Sequence, residues 1–157
     1  IIAFAPLFSK VWESRFNPSA SIKFAIGLIL LGLGFGVLAF GSATIPSGAA
    51  TASVSMLWLV AAYFLHTMGE LTLSPVGLSY VSKLSPARLI GVMFGMWFLS
   101  NAVANYLAGW TGSLIDQITE MYSMSTFFLI YTGLPIGAGF ILILLTPMIK
   151  KKMHGIH

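Results

Sequence analysis

The chain has 157 residues, of which 57% are hydrophobic and only 8% are charged. Soluble domains carry about 25% charged residues, so this composition indicates an integral membrane protein. It contains no cysteine, which excludes disulfide bonds, thiolate metal sites and a cysteine nucleophile. The net charge of +4 comes from basic residues that are dispersed, apart from one C-terminal triplet, and form no stripe with stacking aromatics, so no nucleic-acid partner is expected.

Apolar segments follow one another along the whole chain. The first, residues 1–14, is too short to cross about 30 Å of hydrocarbon and is typical of the end of a membrane helix whose beginning is missing. We therefore expect the chain to be a C-terminal piece of a longer polypeptide. Backbone groups in lipid must be satisfied within the segment, so the longer segments are predicted to be spanning helices in an all-α integral membrane fold. These four helices are predicted at residues 22–41, 54–81, 89–115 and 124–149.

The basic residues predict the orientation of the chain. With alternating spans, all of them fall on one side of the membrane, which the positive-inside rule makes cytoplasmic. They are Lys10, Arg15, Lys23, Lys83, Arg88, Lys150, Lys151 and Lys152. The tail at residues 150–157 is therefore predicted to be cytoplasmic, and Asp116 and Glu120 to lie in a solvated loop on the other side.

Glu70 is the only acidic residue within a full predicted span. An ionised carboxylate at that depth costs on the order of 3 kcal/mol on insertion scales, so Glu70 should face the bundle interior or a water-filled cavity. Helical spacing places it on a polar stripe of an apolar helix. The stripe consists of Tyr63, His66, Thr67, Glu70, Ser74 and Gly77. A structural pair with a Lys or Arg is the alternative, but the chain offers no basic residue at that depth, so such a partner would come from outside it.

Pro75 predicts a kink just beyond Glu70, because proline has no N–H to donate to the carbonyl of Leu71, and Gly69 and Gly77 flank it. Transporters often place kinked helices beside a binding site near the middle of the membrane. The alternative is that the proline and glycines only shape helix packing, since both residue types are common in membrane helices.

The next span carries a second polar face, on which Trp97, Asn101 and Asn105 recur every four residues. Asparagines within a membrane must find partners across helices or in a cavity. A deep tryptophan is most often a packing residue, and beside a polar cavity it can also form an apolar wall for a ligand. The GxxxG motif of Gly91 and Gly95 allows close helix contact. No catalytic or metal-binding motif is visible, so the protein is not expected to be an enzyme.

An extended stretch, residues 63–109, resembles the proton-dependent oligopeptide transporter family, also called the POT or PTR2 family, of the major facilitator superfamily. The stretch reads "YFLHTMGELTLSPVGLSYVSKLSPARLIGVMFGMWFLSNAVANYLAG". Two earlier stretches, "FAPLFSKVW" and "KFAIGLILLGLGF", resemble the family's eighth and ninth helices. The resemblance implies the C-terminal portion of a twelve-helix transporter, from the end of helix 8 to helix 12, in a bacterial cytoplasmic (inner) membrane.

The resemblance also implies roles for individual residues. Glu70 matches a helix-10 glutamate that faces the central cavity, helps to bind the amino terminus of the peptide and is a candidate for proton coupling. Ser74 matches a polar residue of the pocket, and Trp97 and Phe98 match helix-11 aromatics that line side-chain pockets. Asn101, on the same face as Trp97, is a further substrate-binding candidate. The region of Pro75, with Gly69 and Gly77 as hinge candidates, resembles the hairpin of helices 10 and 11 that closes the cytoplasmic gate.

The function that the resemblance implies is proton-coupled symport of di- and tripeptides by alternating access. The proton gradient would be the energy source, with no cofactor, and the partners would be the lipid bilayer and the N-terminal bundle of the same transporter. The family's ExxER motif on helix 1 and its acidic helix-7 residue are absent from this chain, so the chain alone should not transport. One alternative is a major facilitator carrier for another substrate, such as nitrate or drugs. The other is a non-transporting membrane subunit, and the unpaired Glu70 argues against this second alternative.

Overall fold

The computed structural model describes residues 4–13, 17–46 and 53–152, and within these ranges the regular structure is helical, without strands. Within these ranges, four helices are long and apolar enough to cross a membrane, at Ala20–Ser42, Met56–Leu84, Ile90–Gly112 and Met124–Lys152. The predicted all-α membrane fold is therefore confirmed. The six helices are α1 (Ala5–Glu13), α2 (Ala20–Ser42), α3 (Met56–Leu84), α4 (Ile90–Gly112), α5 (Ile115–Met121) and α6 (Met124–Lys152).

The helix ends differ by a few residues from those predicted. α4 ends at Gly112, where the N–H of Ser113 donates to the carbonyl of Gly109 at 3.1 Å. α6 continues through Lys152, so the first three residues of the predicted tail are helical. Residues 1–3 and 14 of the predicted half-span and 153–157 of the predicted tail lie outside the described residues.

The segment predicted as a solvated loop between α4 and α6 contains a short helix, α5. Asp116 and Glu120 are exposed, as expected of a solvated position, but the backbone between them is helical. Half-buried Leu114, Ile115 and Ile118 give α5 an apolar side, and the helix packs against α6. Asp116 in the first turn also interacts favourably with the helix dipole. The loop prediction missed this helix because it weighed the two charges and overlooked the apolar residues beside them.

α2 lies between α3 and α6 and contacts both along its length. Each contact follows a line of small, buried residues that recur every seven positions. Such residues let helix backbones approach closely, and the seven-residue repeat is that of left-handed helix packing. The line toward α3 consists of Gly27, Gly34 and Gly41, and the line toward α6 consists of Ala25, Gly32 and Ala39.

The contacts along both lines leave no room for larger side chains. A methyl group at Gly27 would lie 2.5 Å from both Leu73 Cγ and Thr72 Oγ1. On the opposite side, Ser125 of α6 donates a hydrogen bond from Oγ to the carbonyl of Ala39 at 2.8 Å. Close packing and an interhelical hydrogen bond, the forces that associate helices in lipid, therefore hold α2 to both neighbours.

We expect Gly27→Ala to lower the free energy of unfolding of the full-length protein by about 1–2 kcal/mol. Overpacking a close contact costs about 1–3 kcal/mol, and the better helix propensity of alanine, about 1 kcal/mol, offsets only part of it. Thermal unfolding in detergent measures the change. The matched control is Gly133→Ala in α6, where an added Cβ meets nothing within 4 Å. Equal stability of the two variants would contradict the close-packing interpretation.

α4 is the least covered helix of the structure. None of its residues is buried, and its contact with α3 includes the ring of Trp97, which lies against Gly77. At the other side of α3, the ring of Phe4, which precedes α1, is 5.8 Å from the ring of Phe64 between centroids. The exposed apolar side chains of α4 have to be covered by lipid or by further protein segments.

Candidate functional site

Glu70 lies on the face of α3 that its described neighbours leave open. α2 packs against Ala62 and Gly69, and Phe4, just before α1, packs against Phe64 on another side of the helix. Glu70 is exposed, and so is Tyr63, two turns before it. Among the described residues, Glu70 forms no ion pair or hydrogen bond. A carboxylate on a spanning helix is thus presented to the space beside the described helices. That this space is the bundle interior or a water-filled cavity stays a prediction.

The middle of the predicted polar stripe keeps to this open face. Thr67 and Ser74, one turn on either side of Glu70, are half-buried and share its side of the helix. Together with Tyr63 they give the face of Glu70 hydroxyl groups that can both donate and accept hydrogen bonds. The face is therefore suited to a polar, positively charged ligand.

Two members of the predicted stripe, His66 and Gly77, are covered by neighbouring helices. The ring of His66 lies against Gly34 of α2 and is 4.7 Å from the ring of Phe35 between centroids. Its Nε2 atom is buried and has no hydrogen-bond partner within the part of the chain that the structure describes. Gly77 is buried beneath the ring of Trp97. His66 is therefore a residue of the α2–α3 contact, and Gly77 belongs to the α3–α4 contact.

α3 runs as one helix through Pro75, which is exposed. Both flanking glycines lie at close helix contacts. An added Cβ at Gly69 would be 2.9 Å from the carbonyl oxygen of Gly27, and one at Gly77 would be 2.8 Å from Cζ2 of Trp97. The packing role that the sequence left open is thus present at both glycines, and a hinge role for Pro75, Gly69 and Gly77 stays a prediction.

Trp97 brings α4 to the same face of α3. It contacts Gly77, which is two turns, roughly 10 Å along the helix axis, from Glu70. The carbonyl of Trp97 accepts hydrogen bonds from Ser100 Oγ at 2.7 Å and from Asn101 Nδ2 at 3.1 Å. Asn101 remains exposed, and Phe98 is 62% exposed. The structure therefore brings Trp97 to the face of Glu70, whereas Phe98 and Asn101 are exposed on α4.

Two further features of α4 have no partner helix in the described structure. An added Cβ at Gly91 or Gly95 meets nothing within 4 Å, so the GxxxG motif mediates no contact among the described helices. Asn105 is exposed. Within the described residues there is also no cluster of side chains that could hold a metal ion. The site is thus a carboxylate with hydroxyl and aromatic neighbours on an open helix face.

The sequence did not indicate one group of residues that the structure brings together. Lys23, Lys83 and Lys150 come from three different helices and line one cavity of about 450 Å³. Their common side of the membrane was predicted from the loops, but their convergence depends on which helices are neighbours. Hydropathy carries no such information.

Comparisons with known proteins identify related transporters. The family model described as "POT family" matches residues 1–130. The chain is 40% identical over 99% of its length to an uncharacterized transporter, YclF, of Bacillus subtilis, and 34% identical over 99% to the peptide transporter YePEPT of Yersinia enterocolitica. It is 32% identical over 96% to dipeptide and tripeptide permease A of Escherichia coli. It spans 30%, 31% and 29% of the lengths of these relatives.

Solved structures show the same similarity. A POT family transporter crystallised with 5-aminolevulinic acid superposes with a TM-score of 0.80 at 30% identity, covering 95% of this chain and 29% of that one. A peptide transporter POT in complex with sulfate superposes with a TM-score of 0.73 at 34% identity, with the same coverage. These relatives and neighbours are transporters and not enzymes, as the sequence predicted.

Proposed function

The chain belongs to the POT family, and from this membership we propose that the full-length protein carries di- and tripeptides across a membrane by proton-coupled symport. Relatives from Yersinia and Escherichia are named as a peptide transporter and as a dipeptide and tripeptide permease. The observation that carries the proposal is Glu70, a carboxylate on the open face of a spanning helix with no partner among the described residues. Such a group is expensive to keep in a membrane unless it binds a cation.

In the proposed complex, Glu70 pairs with the protonated amino terminus of the peptide. Every unmodified peptide carries this ammonium group, whatever its side chains, so one carboxylate serves many peptides. A charge-assisted hydrogen bond of this kind is about twice as strong as a neutral one. The solved relative with 5-aminolevulinic acid supports this arrangement, since that molecule has an amino and a carboxyl group at separate ends, as a short peptide does.

The neighbouring residues complete the proposed binding face. Ser74, one turn from Glu70, is placed to hydrogen-bond a backbone group of the peptide. Trp97, held against α3 by its contact with Gly77, forms an apolar wall for a peptide side chain. Phe98 and Asn101 are exposed on α4 and are free to contact ligand at the edge of the same face. The side chains of different peptides would thus contact an aromatic surface, which can accommodate many shapes.

Proton coupling follows from the same carboxylate. When no peptide is bound, Glu70 must be neutralised, either by a proton or by a cation from a part of the protein outside this chain. The exchange between peptide, proton and cation would then drive alternating access, with the proton gradient as energy source and no cofactor. In this scheme α3 and α4 move relative to the N-terminal bundle of the same transporter, and Pro75, Gly69 and Gly77 act at the gate.

We place the protein in a bacterial cytoplasmic membrane with the lysine-rich end of the helices in the cytoplasm. All eight Lys and Arg residues lie on that side of the predicted spans. The named relatives are bacterial, which supports the choice of membrane. The C-terminal end of α6, with Lys150, Lys151 and Lys152, is cytoplasmic in this orientation.

The proposal is tested by reconstituting the full-length protein in liposomes and measuring uptake of labelled dialanine. We expect accumulation only when the outside is more acidic than the inside, and competition by unlabelled di- and tripeptides. Nitrate should not compete, which separates this function from that of another carrier. Counterflow without a gradient shows whether the reconstituted protein is folded and binds peptide. Counterflow of nitrate without counterflow of dialanine would overturn the proposal.

A further inference from the structure

The cavity lined by Lys23, Lys83 and Lys150 lies at the lysine-rich end of the helices, away from Glu70. It is formed where α2 begins and where α3 and α6 end, and its volume is about 450 Å³. The three lysines come from the first turn of α2 and the last turns of α3 and α6. None of the described residues that line the cavity is acidic. The cavity therefore concentrates positive charge that no lining carboxylate neutralises.

Lys23 is held at the cavity by two contacts. Its ammonium donates a hydrogen bond to Asn17 Oδ1 at 2.7 Å and lies 4.9 Å from the centroid of the Trp12 ring. Lys83 is similarly placed, 5.7 Å from the centroid of the Tyr80 ring. Tryptophan and tyrosine are enriched at the level of lipid headgroups, where one end of the ring is apolar and the other is hydrated. These contacts are typical of residues at headgroup depth.

The N-terminus of α2 adds hydrogen-bond donors to the cavity. Ser19 precedes the helix, but its side chain makes no capping hydrogen bond, and the first turn carries no acidic residue. The Oγ atom of Ser19 is buried and has no partner among the residues that the structure describes. A helix N-terminus attracts anions through its free N–H groups and its dipole. Ser19 and Ala20 both line the cavity, so its wall offers this end of α2 to an anion.

From these observations we infer that the cavity is a binding site for the phosphate headgroup of an anionic phospholipid. The three lysines neutralise the phosphate, and the Ser19 hydroxyl and the start of α2 supply hydrogen bonds to its oxygens. Ser79 and Tyr80, which also line the cavity, offer further hydroxyl groups for a glycerol headgroup. Basic pockets between spanning helices at the cytoplasmic side are suited to such lipids.

The same phosphate chemistry could come from a free phosphate ion, but the position of the cavity favours the lipid. A cavity at headgroup depth meets phosphates that the membrane holds at high local concentration, whereas free phosphate arrives from bulk water at a much lower one. Pro75 and Val76 of α3 add an apolar part to the wall, which suits the glycerol and first methylenes of a lipid and has no use for an inorganic ion.

The test uses the purified full-length protein in detergent and measures binding of phosphatidylglycerol by native mass spectrometry. Phosphatidylcholine is the zwitterionic comparison. We expect preferential binding of phosphatidylglycerol and a loss of about thirtyfold in its affinity for the double variant Lys83→Gln/Lys150→Gln. The matched control is Arg88→Gln/Lys151→Gln, which removes the same charge from exposed positions outside the cavity and should leave the affinity near that of the wild type.

Each other outcome overturns the lipid site in a distinguishable way. Equal losses in the two double variants would show only general attraction to a basic surface. Displacement of the lipid by millimolar inorganic phosphate would identify a free-ion site. Absence of any lipid preference, together with a lipid-independent fall in melting temperature for Lys83→Gln/Lys150→Gln, would mean that an acidic segment of the protein occupies the cavity. If the double variant does not fold, the single variant Lys150→Gln, at an exposed position, is compared with Lys151→Gln for its affinity for phosphatidylglycerol.

Discussion

Replacing Glu70 with glutamine is expected to weaken dipeptide binding by the full-length protein about thirtyfold and to abolish uptake driven by the proton gradient. Glutamine keeps the size of the side chain and can still accept a hydrogen bond, but it carries no charge. A hydrogen bond to a charged group contributes about 1.5–3 kcal/mol, of which about 2 kcal/mol corresponds to thirtyfold in affinity. Dialanine affinity by calorimetry and uptake in proteoliposomes measure the two effects.

The matched control for Glu70→Gln is Glu120→Gln, which removes an exposed carboxylate from α5, outside the spans. This variant should bind and transport as the wild type does. Unchanged dialanine affinity in Glu70→Gln would mean that the carboxylate does not pair with the ligand. Normal counterflow without gradient-driven uptake would leave Glu70 with a role in proton coupling alone. If Glu70→Gln shows both normal counterflow and normal gradient-driven uptake, Glu70 has no part in the mechanism, and the family assignment still holds.

The spanning helices could be predicted because few backbone structures are stable in lipid. A segment of 20 or more apolar residues has to satisfy its backbone internally, so length and hydropathy alone specify a helix. The same reasoning, that an ionised group avoids lipid, predicts that the open face of Glu70 borders the bundle interior or a water-filled cavity, and this stays a prediction. The short helix α5 was missed because its seven residues are specified by local contacts with α6 and not by the membrane.

The neighbours of each helix were much harder to predict, because spanning helices are apolar all round. His66 shares a polar stripe with Glu70 by helical spacing, yet the missing side chain of Gly34 lets its ring pack against α2. The sequence did contain a usable signal in the seven-residue spacing of Gly27, Gly34 and Gly41, which indicates one close helix contact. Nothing comparable in the sequence shows that Trp97 would lie on Gly77, or that three lysines would converge.

A valine at Gly77 is expected to lower the rate of peptide uptake about tenfold, because its side chain would overlap the ring of Trp97. Even the first added carbon would lie 2.8 Å from Cζ2 and 3.0 Å from Cζ3 of the ring, so α4 or the indole has to move away from the face of Glu70. The control Gly95→Val introduces the same residue into α4 where nothing lies within 4 Å, and it should transport normally.

If the overlap is the cause, Gly77→Val should add little to the uptake defect of Trp97→Ala, since the ring that the valine would displace is already gone. Additive losses of uptake in the double variant, at unchanged melting temperature, would instead show that Gly77 acts on transport without Trp97, as a hinge in α3 would.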